Sequence, residues 1–208
     1  MARPRFKNLD RVTRRRILET AAEEFAARGF EGTSLNRLIE RLEISKGSFY
    51  YYFDDKADLF TTVVDRAWAI FLPDGIPDLE SFSADNYWTA LESLMRGARA
   101  RIRENPWLIG FTRLLYEPPE IPGVREAVAE KFAEARTWQA DLIRRGQDIG
   151  TVRGDLPAEL LQALLVGADE AADRWLFSHW ETTDPAEMER ICSEMFAIFR
   201  RMLESPPK

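Results

Sequence analysis

Apolar residues recur along this 208-residue chain at steps of three and four, and nowhere do they alternate over a useful length. That is the pattern of amphipathic helices from end to end. Ile17, Leu18, Ala21, Ala22 and Phe25 mark the inner face of a first helix from about Asp10 to Arg28, which Gly29 stops. Thr33 or Ser34 can cap a second, short helix with Leu35, Leu38, Ile39 and Leu42 as its apolar set, and Ser45 can cap a third over 45–53. A fourth begins near Asp54 or Asp55, runs through Leu59, Phe60, Val63, Val64, Ala67 and Phe71, and ends at Pro73. The stretch "PDGIPDLESFS" reads as a loop by its Pro, Gly, Asp and Ser content. Beyond it Trp88, Leu91, Met95, Ala98 and Ile102 form a stripe that closes at Asn105-Pro106, and "PWLIGFTRLLY" makes a shorter helix. Val124, Val128, Phe132, Ala135, Trp138 and Leu142 set a long helix ending near Gly150. Two more are expected, from about Pro157 to Trp180 and from about Pro185 to Leu203. The prediction is an all-α fold of about nine helices.

The third predicted helix holds the run "ISKGSFYYYF", Ile44 to Phe53. A core strand does not fit, because alternation would send Tyr51 to the opposite face from Tyr50 and Tyr52, and Gly47 weakens a strand. At about 100° of rotation per helical residue, Phe49 and Phe53 fall together on one side. Tyr51 falls opposite, flanked by Gly47 and Ser48, while Tyr50 and Tyr52 take the two edges. Glycine inside a helix costs up to about 1 kcal/mol against alanine, so Gly47 points to a backbone that something approaches closely. Such a face suits a groove. Tyr51 is expected to look into it, with Tyr50 and Tyr52 packing their rings on the protein and aiming hydroxyls at phosphates. Lys46 and the free amides of the first turn add positive potential. Two short helices joined by a tight turn and buttressed by a longer one match a helix-turn-helix.

Taken alone, three tyrosines also suit the edge of an ordinary core helix. Charge changes the balance. The formal charge of −6 argues against a nucleic-acid binder, yet residues 1–56 carry 12 basic side chains against 9 acidic, and the remainder 17 against 26. A basic end that meets a polyanion and an acidic body that does not is the simplest reading. One cysteine, Cys192, excludes an intrachain disulfide, and His179 as the single histidine leaves no His/Cys metal set. No apolar run reaches the roughly 18 residues of a membrane span, and "MARPRFKNLD" lacks the apolar middle of a signal peptide, so the expected location is the cytoplasm with no membrane partner.

Residues 29–60, "GFEGTSLNRLIERLEISKGSFYYYFDDKADLF", resemble the N-terminal domain of the TetR (tetracycline-repressor) family of bacterial transcriptional regulators. The likeness spans about 50 residues with the first helix, and the SKG-aromatic-YYxF-xxK pattern followed by Leu is specific. The C-terminal part is similar in helix order and in "GTVRGDLPAELLQALLVGADEA". The resemblance implies a helix-turn-helix DNA-binding domain with a basic arm at 1–56 and a helical regulatory and dimerisation domain at 57–208. It implies a repressor that a small apolar or aromatic effector releases from its double-stranded operator, with no cofactor and no catalytic site. Phosphate contacts would come from Thr33 or Ser34, Tyr50, Tyr52 and Lys56. Groove contacts would come from Asn36, Lys46, Gly47, Ser48 and Tyr51, with the cap Ser45 counted in the same DNA-binding set. Two positions depart from the family: Glu43 stands at the usual turn glycine, so that a non-glycine residue takes a strained turn or the turn differs, and Ile39 stands at a usual small alanine.

In the body, six Trp and 13 Phe either line an apolar pocket or fill the core between long helices. Trp88, Met95, Phe111, Leu115, Trp138 and Trp175 are the expected lining. Asp169, Glu170 and Asp173 suit a cationic ligand or a solvated face. Gly167, Ala168, Ala171 and Ala172 form a small-residue patch on one of the last two helices, and Met188, Cys192, Met195 and Phe199 an apolar stripe on the other. By the resemblance these two helices join a homodimer as a four-helix bundle. The competing reading is a helical enzyme or binding protein for an apolar small molecule without DNA-dependent regulation, which the missing nucleophile–base set disfavours.

Overall fold

The computed structural model describes residues 3–116 and 118–206. Ten α-helices follow one another among these residues: α1 (Pro4–Lys7), α2 (Arg11–Gly32), α3 (Leu35–Arg41), α4 (Lys46–Tyr52), α5 (Lys56–Phe71), α6 (Tyr87–Glu104), α7 (Trp107–Tyr116), α8 (Val124–Asp148), α9 (Ala158–His179) and α10 (Pro185–Leu203). A single 3-10 turn, Leu79–Ser81, lies in the expected loop. The chain is all-α, as its periodicity predicts. Gly29 breaks α2 as expected, with φ 68 and ψ 174, and one further turn carries the helix to Gly32. The caps resolve the open choices: Ser34 accepts from the Arg37 amide, and Asp55 accepts from the Asp58 amide. α1 is the element that periodicity misses, since four residues with one apolar side chain carry no period.

The chain forms two compact units, Met1–Pro73 with Arg101–Phe132 and Asp74–Ala100 with Ala133–Lys208. The boundaries fall inside α6 and α8. Of the expected segments, 1–56 lies within the first unit; residues 1, 2, 117, 207 and 208 lie outside the described residues.

In the first unit, Phe25, Phe30, Phe60 and Phe111 join α2, α5 and α7 through ring contacts of 5.0 to 5.8 Å. Aromatic pairs at this spacing add to the area they bury. α2 and α7 approach so closely that a Cβ at Gly110 would stand 2.8 Å from Ala26 Cβ. Leu38, Leu42, Phe49 and Phe53 fasten α3 and α4 to this core, each almost fully buried.

In the second unit, Phe82, Tyr87, Leu142, Ile143, Val152, Leu161 and Leu203 form the core, with Trp88 and Trp138 packed on its edge. Tyr87 donates its hydroxyl to the Leu142 carbonyl at 3.0 Å, and burial pushes its phenol above the usual range. The turn "GTVRGDLP" is tied down by an isolated antiparallel bridge, Val152 to Glu204. On α10, Met188, Cys192 and Phe199 are buried within the chain. Met195, the fourth residue of the stripe expected to meet a second subunit, is half-buried, so most of that stripe is covered within the chain itself.

Candidate nucleic-acid interface

α4 is short because both ends are closed locally. Ser45 Oγ accepts from the Ser48 amide at 3.0 Å, and Phe53 leaves helical geometry at φ −131, ψ 147. Phe49 and Phe53 point inward with their rings 5.5 Å apart. Tyr50 is 40 % and Tyr51 48 % exposed, Lys46 and Gly47 are exposed, and Ser48 and Tyr52 are half-buried. The outward face therefore turns further toward Lys46 and Tyr50 than the helical wheel predicts. Tyr50 and Tyr52 are not the symmetric edges expected, and α1 is the reason.

The arm docks on α4. Phe6, 3 % exposed, packs 4.8 Å from the Phe53 ring and 6.1 Å from the Tyr52 ring. The Arg3 amide donates to the Tyr52 carbonyl at 3.0 Å, while its guanidinium donates to the Tyr50 carbonyl at 2.6 Å and to Asp54 at 2.9 Å. Arg5 stands 4.4 Å above the centre of the Tyr51 ring, a cation–π pair on the exposed face. In the sequence Arg3 and Arg5 register only as charge. The signal that could have placed them is Phe6, an isolated aromatic between cations that has to bury somewhere.

Gly47 is not required by the protein's own packing. A Cβ there would meet only Ser45 Oγ, at an ordinary 3.7 Å, so the space above the backbone is open to an outside partner. On α3, Ser34 and Asn36 are exposed. Thr33 is corrected: it is fully buried, and its hydroxyl donates to the Gly29 carbonyl at 2.7 Å and the Glu24 carbonyl at 3.2 Å. Lys56 spends two of its three N–H groups on the Phe30 and Thr33 carbonyls, at 2.7 and 2.8 Å, and sits 4.3 Å over the Phe30 ring. It ties the end of α2 to the start of α5 and keeps one donor free of those two bonds.

Several of the cations counted in residues 1–56 sit in ion pairs within the chain. Glu24, 2 % exposed, is surrounded by Arg41 at 2.7 Å, Arg37 at 3.2 Å and Arg28 at 3.4 Å. Burial pushes its carboxyl up, but the Arg41 hydrogen bond and the three guanidinium charges outweigh that and hold it below the ordinary range. Arg16 pairs with Glu43 at 2.8 Å. Glu43 takes φ 54, the left-handed conformation that its glycine-like place demands, so the turn keeps its shape at the cost of strain. Ile39 is half-buried.

The expected pocket residues divide between the units. Phe111 and Leu115 are buried in the first, with Phe111 packed on Phe60 and Trp107. In the second, Trp88 is half-buried beside Tyr87 and under Arg200, Trp138 donates its indole N–H to the Pro77 carbonyl at 2.9 Å, and Met95 is half-buried. Trp175 is exposed and stacks on His179 at 4.3 Å. Among the described residues no three His, Cys, Asp or Glu side chains converge as a metal site, and no helix is long and apolar enough to cross a membrane.

The sequence profile of bacterial regulatory proteins of the tetR family matches residues 17–63, which span most of α2 through the first half of α5. The chain is 26 % identical over 152 residues to the HTH-type transcriptional repressor Rv1474c of Mycobacterium tuberculosis, covering 73 % of this chain and 75 % of that protein. It is 27 % identical over 185 residues to the HTH-type transcriptional repressor SCO4008 of Streptomyces coelicolor, covering 86 % and 83 %. A crystal structure of a TetR family transcriptional regulator from Chloroflexus aurantiacus has the same fold with a TM-score of 0.72 at 23 % identity, covering 98 % of this chain and 99 % of that one.

Proposed function

This chain belongs to the tetR family of bacterial regulatory proteins, and we propose that it represses transcription as a homodimer whose two α4 helices enter successive major grooves of an operator. The observation that carries this reading is the uncovered face of α4. Lys46, Gly47, Tyr50 and Tyr51 point away from buried Phe49 and Phe53, with open space over the Gly47 backbone. A phenol, an ammonium group and a bare backbone can approach base edges, and the two half-sites would lie about one helical turn or a small multiple of it apart. Asn36, Lys46, Gly47, Ser48 and Tyr51 make the groove contacts, and Arg5 joins them by travelling with the Tyr51 ring. Ser34, Ser45, Tyr50, Tyr52 and the remaining Lys56 donor hold phosphates. Such contacts position the protein without reading sequence.

The second subunit docks on α9. Leu160, Leu164, Gly167, Ala171 and Trp175 are all exposed and share one helical face, and Ile198 of α10 is exposed as well. A small apolar or aromatic effector, lodged beside Trp88, Met95 and Trp138 in the second unit, releases the operator by favouring a conformation in which the two α4 helices no longer match the groove spacing.

Gel retardation with the DNA flanking the protein's own gene, at 50 and 200 mM salt, tests the reading. One sequence should be preferred at both concentrations, with affinity falling roughly tenfold or more between them. Tyr51→Ala should change which operator variants bind while the melting temperature stays put. Equal retardation of every sequence at both salts, or no retardation, would refute it.

A further inference from the structure

The first unit contains a cavity of about 380 Å³ that no α4 residue lines. Its wall carries five cations from three helices: Lys7 at the end of α1, Arg11, Arg14 and Arg15 on the opening turns of α2, and Arg66 on α5. Phe6 and Leu18 supply apolar wall. Asp65 is the one carboxylate of the lining, and it lies 3.8 Å from Lys131.

Little within the chain neutralises these groups. Arg15 pairs with Glu19 at 2.7 Å, and Arg14 gives one N–H to the Lys7 carbonyl at 3.0 Å. Lys7, Arg11 and Arg66 make no ion pair among the described residues, and Asp10 beside them is occupied in capping Thr13. Arg66 is half-buried on α5, between the core residues Val63 and Ala67. Burial holds its guanidinium below the ordinary range; Glu19 opposes that, and the charges of Arg15, Arg11 and Arg14 add to it.

Like charges gathered in a concave, partly apolar recess repel one another at an effective dielectric well below that of water, and the recess focuses their field on whatever enters. Guanidinium forks meet phosphate oxygens two at a time, and a compact ammonium adds a point charge. We propose that this cavity is a phosphate-binding site, filled by the phosphate group of a small phosphorylated molecule or of a nucleic-acid backbone. Arg66 is its central group, with Arg11 and Lys7 closing over the anion.

Pyrophosphate is the probe, with sodium chloride at matched ionic strength as the control and the full chain as the sample. Wild type should melt about 3 °C higher at ten times the dissociation constant of pyrophosphate. Arg66→Met should melt at least as high as wild type without the anion, because a repelled cation is gone, and bind pyrophosphate at least tenfold more weakly by calorimetry. Arg11→Gln, at an exposed helix end, should also bind at least tenfold more weakly, and it carries the test if Arg66→Met does not fold. Pyrophosphate acting no better than chloride, or acting on the variants as on wild type, overturns the proposal. A gel-retardation arm separates the two sources. Competition between pyrophosphate and DNA in wild type, absent in Arg66→Met, identifies the backbone as occupant. Undiminished DNA affinity with the melting rise intact identifies a small ligand. The melting arm needs no operator, so loss of DNA recognition and loss of this site are read independently.

Discussion

α4 and α9 each leave one face uncovered within the chain, and the two faces have opposite chemistry. On α4 the exposed positions are Lys46, Gly47, Tyr50 and Tyr51, and every large side chain ends in a polar tip. On α9 one face carries Leu160, Leu164, Gly167, Ala171 and Trp175, all uncharged, with exposed Arg174 at its edge. Apolar area left in water costs roughly 25 cal/mol per Å² relative to burial, so the α9 face gains by meeting another apolar surface. The α4 face is solvated while it waits and gains by meeting a polyanion. Exposure alone marks both helices as unfinished; side-chain chemistry says what finishes each.

The sharpest test of the α4 face is its reverse side. Phe49→Ala should cost about 3 to 5 kcal/mol of stability, because a fully buried ring leaves a cavity between α4 and the core. Chemical denaturation of this variant beside Tyr51→Ala, which should unfold as wild type does, checks the assignment of inner and outer faces. A stable Phe49→Ala protein that has lost operator preference would show the helix rotated.

Leu164→Glu places a charge in the middle of the α9 face without touching the core. The protein should run as a monomer in light scattering, melt cooperatively, and lose about a hundredfold in operator affinity as two linked half-site contacts become one. A dimer that survives would move the interface elsewhere.

Gly47→Ala separates folding from recognition on α4. Alanine should raise stability by up to about 1 kcal/mol through helix propensity, since the added Cβ meets only Ser45 Oγ at 3.7 Å. Operator affinity should fall in the same variant, because the methyl occupies the open approach to the backbone. Unchanged affinity would mean that nothing comes close there.

A pH-dependent test concerns Asp169, half-buried on α9. Burial, then the charges of Asp173 and Glu170, push its carboxyl up to about 7. A raised acid binds its proton more tightly folded than unfolded, so its contribution to stability falls as pH rises from about 4 to about 7 and is flat above. Asp169→Asn should therefore melt close to wild type at pH 4 and higher than wild type at pH 8. Parallel melting curves across that range would place the carboxyl in open solvent.

Much of this molecule was readable before any coordinate. The three- and four-residue steps located nine of the ten helices, because a helix that buries one face must repeat its apolar residues at that spacing. Ser34, Ser45 and Asp55 cap as side chains of their kind do, Gly29 stops α2, and Glu43 takes the first of the two turn geometries open to it, the strained left-handed one. These are short-range effects, determined by neighbours a few residues away.

Other features needed distant parts of the chain to meet. Phe6 docks on Phe53, 47 positions later, and so turns a charged arm into a clamp that covers Tyr52 and delivers Arg5 to Tyr51. Glu24 gathers Arg28, Arg37 and Arg41 around one buried carboxylate, a cluster that the linear charge count does not show. Thr33 and Ser34 are equivalent candidates in sequence, yet one is sealed beneath α2 and the other faces out. The stripes on α9 and α10 are both apolar, and only packing determined that Met188, Cys192 and Phe199 are buried while Leu160, Leu164 and Trp175 stay open. Periodicity states that a helix has an apolar face; which surface covers it depends on residues brought close in space, and a linear pattern carries no record of them.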